Sequence, residues 1–268
     1  QPNAMGGPEV GGFVYKLAAH MDIANEEHRD LVQGFWQSPA MASKPGLKAV
    51  DLFESIGEGK VKAVWVMATN PVVSLPNADK VRDALKQCEF VVVSDCVANT
   101  DTLDLAHVKL PAAGWGEKDG TVTNSERRIS RQRAFLPLPG DAKPDWWIIS
   151  ETAKQMGFAD AFNYQTAAEI FAEHAQLSGH NNNGQRDFDI SGLSELTEEQ
   201  YNSLVPVQWP VSGSSKEGSA RLFTDGHFFT PSGKAQIITL QPKAPIQQPD
   251  EAHPFWLTTG RVRDQWHT

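Results

Sequence analysis

An α/β fold built on parallel βαβ units is what this 268-residue sequence predicts, with helices on both faces of the sheet and a partial β-rich segment towards the C-terminus. Three observations carry the expectation. Residues 61–68 form an apolar, β-rich run that stops at Thr69-Asn70-Pro71. Two further short apolar runs follow, 90–93 ending in Ser94-Asp95 and 107–110 ending at Pro111. Between the first two, residues 79–87 have helical character. Short buried strands alternating with helical stretches make parallel βαβ units. The stretch 60–128 is therefore the Rossmann-like centre of the chain.

The elements around that centre follow from local pattern. Upstream, Gly6, Gly7, Gly11 and Gly12 lie in a loop with Asn3 and Pro8. Such a loop either lets backbone approach a ligand closely or serves as a flexible entry to the domain. After His28, residues Leu31, Val32, Phe35 and Trp36 recur at helical spacing. A second helix is expected over 45–57, with Pro45 in its first turn, Val50, Phe53 and Ile56 on its apolar side, and Gly57 and Gly59 ending it.

Downstream, 120–124 and 127–135 alternate like a hairpin. Residues 143–156 read as a helix opened by Pro144, with Trp147, Ile148 and Ala153 inward and Gly157 closing it. Another helix over 166–177 is capped by Thr166 with Glu169 three residues on. Residues 178–195 are polar and rich in Gly and Asn, which predicts a loop or linker. A short helix over 197–204 opens with Thr197 and Gln200, and β-rich runs at 235–240 and 255–259 flank Pro242, Pro245 and Pro249. The expected division is 1–180 as the α/β domain, 181–250 as linker and irregular β-rich segment, and 251–268 as the start of a further domain. A chain that opens on Gln1-Pro2-Asn3 and closes just after a strand and the Gly260 turn reads as a piece of something longer.

Composition narrows the function classes. Hydrophobic residues make up 40% and charged ones 21%, ordinary values for a globular protein. A formal net charge of −9 without a basic stripe argues against a nucleic-acid backbone as partner. No apolar run approaches the roughly 18 residues of a membrane-spanning helix. The two cysteines, Cys88 and Cys96, form neither a CxxC nor a disulfide framework, and both are expected as buried thiols. The histidines show no HxxxH pairing or grouping with cysteine, and no GxSxG or phosphate-binding glycine loop occurs.

Chemistry-bearing candidates lie at the strand ends, where open parallel sheets bind ligands. The turn after the first strand, Thr69-Asn70-Pro71, has no glycine, so the nicotinamide or flavin fingerprint is absent. The second strand ends in Asp95, about where such folds place a ribose-binding carboxylate; a helix cap or loop acid is the competing reading. Glu117-Lys118-Asp119-Gly120, with Asn124, Glu126, Arg127 and Arg128, offers a cation for a phosphate or else a solvated loop. Thr258-Thr259-Gly260-Arg261 suits a phosphate-bearing ligand. Near the end, His267 reads as a ligand or acid–base group, or as a packed histidine beside Trp266.

Taken in order, several motifs carry a resemblance: 1–7 (QPNAMGG), 68–71 (ATNP), 93–95 (VSD), 110–111 (LP) and 115–120 (WGEKDG), then 124–128 (NSERR), 143–146 (KPDW), 259–261 (TGR) and 266–268 (WHT). The series resembles the catalytic subunit of molybdopterin-dependent nitrate reductases of the dimethyl sulfoxide reductase family, the assimilatory bacterial type above all. It covers nearly the whole chain and is weakest across 178–250. The resemblance implies a molybdenum bis(molybdopterin guanine dinucleotide) centre that reduces nitrate to nitrite, with a 4Fe–4S cluster and an electron donor protein or domain serving the parent protein. It also implies nitrate assimilation in the cytoplasm. Asn70, Ser94, Asp95, Lys118 and Asp145 match positions that hold one guanine dinucleotide. Thr259, Gly260, Arg261, Trp266, His267 and Thr268 match the start of the dinucleotide-binding domain, which contacts the pterin, so 251–268 is expected to begin it. Residues 1–7 match a loop lining the approach to the active site. The molybdenum ligand and the cluster ligands have no counterpart here, so this stretch alone is expected to supply half a cofactor site and no turnover. A formate dehydrogenase or another oxidoreductase of the same family, and a non-catalytic nucleotide-binding module, are the competing readings.

Overall fold

Two hydrophobic cores organise the chain, and the order in which the sequence feeds them sets the architecture. The computed structural model describes residues 3–213 and 217–257. Three helices come first, α1 (Gly6–Glu9), α2 (Glu26–Trp36) and α3 (Ala49–Gly57). The βαβ stretch follows as β1 (Ala63–Met67), α4 (Pro71–Ser74), α5 (Ala78–Gln87), β2 (Phe90–Asp95) and β3 (Val108–Pro111). Then come β4 (Gly120–Thr123), β5 (Arg128–Gln132), α6 (Asp145–Gln155), α7 (Ala167–Gly179), α8 (Glu198–Asn202) and β6 (Val207–Gln208).

β1, β2 and β3 form a parallel sheet in that order, with Trp65 beside Val92 and Val92 beside Val108. Side chains alternate between the faces of a strand. Val66, Val91 and Val93 therefore share one face, where Phe53 and Ile56 of α3 and Val81, Ala84 and Leu85 of α5 close over them. The other face is more open: Trp65, Val92 and Leu110 are half-buried, and Met67, Phe90 and Val108 are exposed.

The second core is built from chain on both sides of the βαβ stretch. Leu17 to Ile23 and Val32 of α2 come from before it; Ile129 of β5, Phe171 and Ala175 of α7, Phe188, Ile190, Tyr201 of α8 and Trp209 come from after it. The hairpin β4–β5 is antiparallel, and β6 adds along the far side of β5. Arg131 of β5 is buried in this half because every nitrogen has a partner. It pairs with Asp119 at 2.7 Å, donates to the carbonyl of Tyr201 at 3.0 Å, and stacks on the Tyr201 ring at 3.9 Å. Both capping expectations hold: Thr166 accepts from the amide of Glu169, and Thr197 and Gln200 cap each other reciprocally.

Several expectations need correction. Pro45 lies ahead of α3, whose N-cap is Lys48, and Val50 is exposed. Cys96 is exposed; only Cys88 is buried, its thiol within reach of the carbonyls of Lys62 and Phe90. Residues 178–195 have no strand and only a 3-10 turn, Ser191–Leu193, besides the end of α7, yet they enter the core through Phe188, Ile190 and Leu193. Asn182, 1% exposed, makes that possible by donating to the carbonyls of Ser178 and Phe188. The runs 235–240 and 255–257 form no strand, and Ile237, Ile238, Leu240, Phe255 and Leu257 are exposed. A strand needs a neighbour for its backbone donors and acceptors, and none lies beside these runs among the described residues. No helix among the described residues is long and apolar enough to cross a membrane.

Two outcomes follow from this packing. Leu85 is fully buried between helix and sheet, so Leu85→Ala should lower unfolding stability by about 2–5 kcal/mol in denaturant titration. His174 on α7 lies beside Phe188, with its Nε2 buried and without a partner among the described residues. Burial first, and nearby His20 second, push its pKa down to about 4 from 6.5. Between those values the unfolded chain binds a proton that the folded chain refuses, so stability falls as pH is lowered through that window. The total loss is on the order of 3 kcal/mol, and His174→Phe should flatten the slope in thermal melts run from pH 7 to pH 4.

Candidate functional site

Because β1, β2 and β3 are parallel, their carboxyl ends lie together at one edge of the sheet. Asn70 follows β1 at the start of α4. Its Oδ1 does not cap that helix; it accepts from the backbone N–H of Thr102 at 3.2 Å and from the Thr102 hydroxyl at 2.7 Å. The same hydroxyl accepts from the amide of Val72 at 3.2 Å. Thr102 is fully buried, so the turn after β1 is tied to the segment after β2 through one side chain. The amide nitrogen of Asn70 makes no hydrogen bond among the described residues and stands as a donor.

β2 supplies the next two groups. Ser94 is 2% exposed and its Oγ accepts from the indole N–H of Trp65 at 2.6 Å, which leaves the hydroxyl proton to donate. Asp95 is half-buried and turns back on its own loop, one carboxylate oxygen accepting from the amide of Val97 at 3.0 Å. That is the loop-acid geometry weighed against a ribose-binding role, and it still leaves the other oxygen without a partner among the described residues.

The row continues past β3 through the backbone. The amide of Ala112 donates to the carbonyl of Asp95, the amide of Lys143 to Pro111, and the amide of Ala113 to Lys143. A parallel bridge between Ala112 and Lys143 thus adds a fourth segment beside the strand ends. It sets Asp145, at the start of α6, next in line. Asp145 pairs with Lys118 at 2.8 Å, with both side chains about one-third exposed or less, at 33% and 29%. Neighbouring strands lie about 4.8 Å apart, so the row from β1 to Lys143 spans about 15 Å.

The structure therefore brings Asn70, Ser94, Asp95, Lys118 and Asp145 to one edge. The rest of the charged cluster disperses to internal partners. Glu117 caps the amide of Gly114 at 2.7 Å, Asp119 serves Arg131, and Asn124 accepts from the amides of Glu126 and Arg128 within the hairpin turn. Arg127 stacks on Trp209 at 5.1 Å and donates to the carbonyls of Trp209, Ser219 and Ala220, while Arg128 reaches Pro206 and Gln208. Thr259, Gly260, Arg261, Trp266, His267 and Thr268 lie outside the described residues, as do Gln1 and Pro2.

Sequence pattern did not single out Thr102 or Trp65, although they orient Asn70 and Ser94. Nothing local marks Thr102, which is 32 residues from its partner. The row is an alternation of donors (Asn70, Ser94, Lys118) and carboxylate acceptors (Asp95, Asp145) over a long edge. Lys118 has three N–H groups and commits one to Asp145. Such a set fits an extended ligand with sugar hydroxyls, phosphates and an amine-bearing base. The cysteines do not fit an iron–sulfur cluster: one is buried and one exposed, and no group of three or more His, Cys, Asp and Glu residues able to hold a metal ion occurs among the described residues.

The chain is 52% identical over 268 residues to a nitrate reductase of Klebsiella oxytoca, covering all of this chain and 30% of that protein. It is 34% identical to the assimilatory nitrate reductase catalytic subunit of Bacillus subtilis, again over its full length and 37% of that protein. An F420-dependent formate dehydrogenase subunit alpha of Methanocaldococcus jannaschii is 32% identical, with 37% of it covered. The chain thus spans about a third of the length of these relatives. In solved structures the fold is shared with acetylene hydratase from Pelobacter acetylenicus, at TM-score 0.50 and 22% identity, over 69% of this chain and 23% of that one. The family profile described as molybdopterin oxidoreductase matches residues 3–155, more than half of the sequence, so the chain belongs to the molybdopterin oxidoreductase family.

Proposed function

We propose that this chain forms part of a molybdenum-dependent nitrate reductase and holds one guanine dinucleotide of a bis(molybdopterin guanine dinucleotide) cofactor. The observation that supports the reading is the strand-end row of Asn70, Ser94, Asp95, Lys118 and Asp145 in a member of this family. Asn70 and Ser94 donate to the ligand, the free oxygen of Asp95 accepts from a ribose hydroxyl, and the remaining N–H groups of Lys118 meet phosphate oxygen. Asp145 selects guanine through its exocyclic amine, a donor that adenine does not place there. Thr259, Gly260, Arg261, Trp266, His267 and Thr268 contact the pterin as part of a dinucleotide-binding domain that begins at 251–268. When bound, the cofactor supplies the two-electron removal of an oxygen atom from nitrate. Residues of this chain bind and orient it and shield its nucleotide end from water. A 4Fe–4S cluster and an electron donor protein or domain serve the same enzyme, which works in nitrate assimilation in the cytoplasm.

The formate dehydrogenase relative favours a second reading, a different substrate on the same cofactor. Assay of the whole enzyme with a reduced viologen dye separates the two. Nitrite formed from nitrate is the expected result, whereas formate oxidation without nitrate reduction would replace the substrate assignment. A non-catalytic nucleotide-binding module would purify without molybdenum.

Two further outcomes test the residues. Asp95→Ala and Asp145→Ala should lower molybdenum per enzyme, measured by mass spectrometry, while turnover per molybdenum and KM for nitrate stay near wild type, because both residues serve retention of the cofactor. In calorimetry, guanosine diphosphate should bind this chain on the order of ten-fold more tightly than adenosine diphosphate, a preference that Asp145→Ala erases.

A further inference from the structure

Residues 3–9 are seated on β4 through a single residue. The amide of Thr123 donates to Asn3 Oδ1 at 3.0 Å, its carbonyl accepts from the amide of Met5 at 3.0 Å, and its hydroxyl donates to Glu9 Oε2 at 2.7 Å. Three bonds from Asn3, Met5 and Glu9 to one strand residue prevent this segment from sliding along β4. The seat is locked from behind as well. The other carboxylate oxygen of Glu9 accepts from the indole N–H of Trp209 at 2.6 Å, and the Glu9 carbonyl accepts from the amide of Ala19 at 2.7 Å. Gly6 lies directly under Asn3, where a Cβ would collide with the Asn3 side-chain oxygen.

Glu9 is only 4% exposed. Burial raises its carboxyl above the ordinary range, and the bonds from Thr123 and Trp209, with His20 nearby, pull it part of the way back, while Asp187 adds to the rise. Burying a carboxylate is costly unless its oxygens are bonded. An apolar pair would fill the same volume at lower cost, but it would not dictate direction. The two bonds of Glu9 do, because they fix the loop against both β4 and Trp209.

We infer that Glu9 and Thr123 are positioning residues, which set the 3–7 backbone against the bound substrate anion without touching it. The role rests on the nitrate reading above and on the family resemblance, which implies that residues 1–7 line the approach to the active site. The loop carries no redox group, so displacing it changes how the anion is held before the redox step. The effect belongs in KM.

The test compares Glu9→Ala, Thr123→Val and Glu9→Gln in the whole enzyme. Glu9→Ala and Thr123→Val should raise KM for nitrate about ten-fold, with kcat per molybdenum within about two-fold of wild type. Amide hydrogen exchange at Met5 should speed up in both. Glu9→Gln should restore both readouts, since its amide oxygen accepts from Trp209 and its NH2 group donates to the Thr123 hydroxyl. An unchanged KM in Glu9→Ala and Thr123→Val, or a KM that Glu9→Gln leaves raised, overturns the inference. Should Glu9→Ala fail to fold, Thr123→Val decides, because it exchanges one hydroxyl for a methyl. A wild-type enzyme that loads molybdenum but leaves nitrate untouched would sink the substrate reading instead. The seat is then judged by Met5 exchange, and an unchanged rate in Thr123→Val overturns it.

Discussion

The parallel register of β1, β2 and β3, carried one step further by the bridge from Ala112 to Lys143, holds every strand-end group in place. Asn70, Asp95 and Asp145 are far apart in sequence, and no side-chain contact joins all three. What aligns them is backbone hydrogen bonding at a fixed inter-strand spacing, which cannot slip without turning buried Val91 and Val93 out of the core. Apolar packing of α3 and α5 on one face thus sets the geometry of polar groups at the edge.

Polar side chains then complete what register begins. Thr102 holds Asn70, and Trp65 holds Ser94. Lys118 and Asp145 hold each other and leave capacity for a ligand. In each case a group that can meet a ligand also has an internal partner, so its orientation is set before any ligand arrives. The second core works in the same way: Arg131 and Glu9 are buried polar residues whose partners include remote segments. The bond from Trp209 to Glu9 ties the chain before the βαβ stretch to the chain after it.

The periodic elements were legible because their apolar residues follow the periods of helix and strand. Residues 79–87 and the three short runs 61–68, 90–93 and 107–110 became α5, β1, β2 and β3 with small shifts of boundary. Residues 178–195 are the loop that their Asn and Gly content signals, but Phe188 and Ile190 enter the core because Asn182 satisfies the backbone around them. The β-rich run 235–240 misled because strand propensity describes a fit to a half-buried surface, and no such surface lies beside it among the described residues.

Sequence alone determined the alternation of strands and helices, the absence of a glycine fingerprint after the first strand, and the ordered motifs that point to the molybdopterin oxidoreductase family. Those features are local, written in residue type and spacing over a few turns of chain. Only the tertiary structure decided which charged residues share an edge. Of the charged cluster at 117–128 the family resemblance carried only Lys118, and the structure shows where the others go: Asp119 bonds to Arg131, Arg127 to the carbonyls of Trp209 and Ser219, and Arg128 to Pro206 and Gln208. Side chains with such long reach can serve several sites, and the partner that comes within bonding distance is set by packing between segments some 80 residues apart.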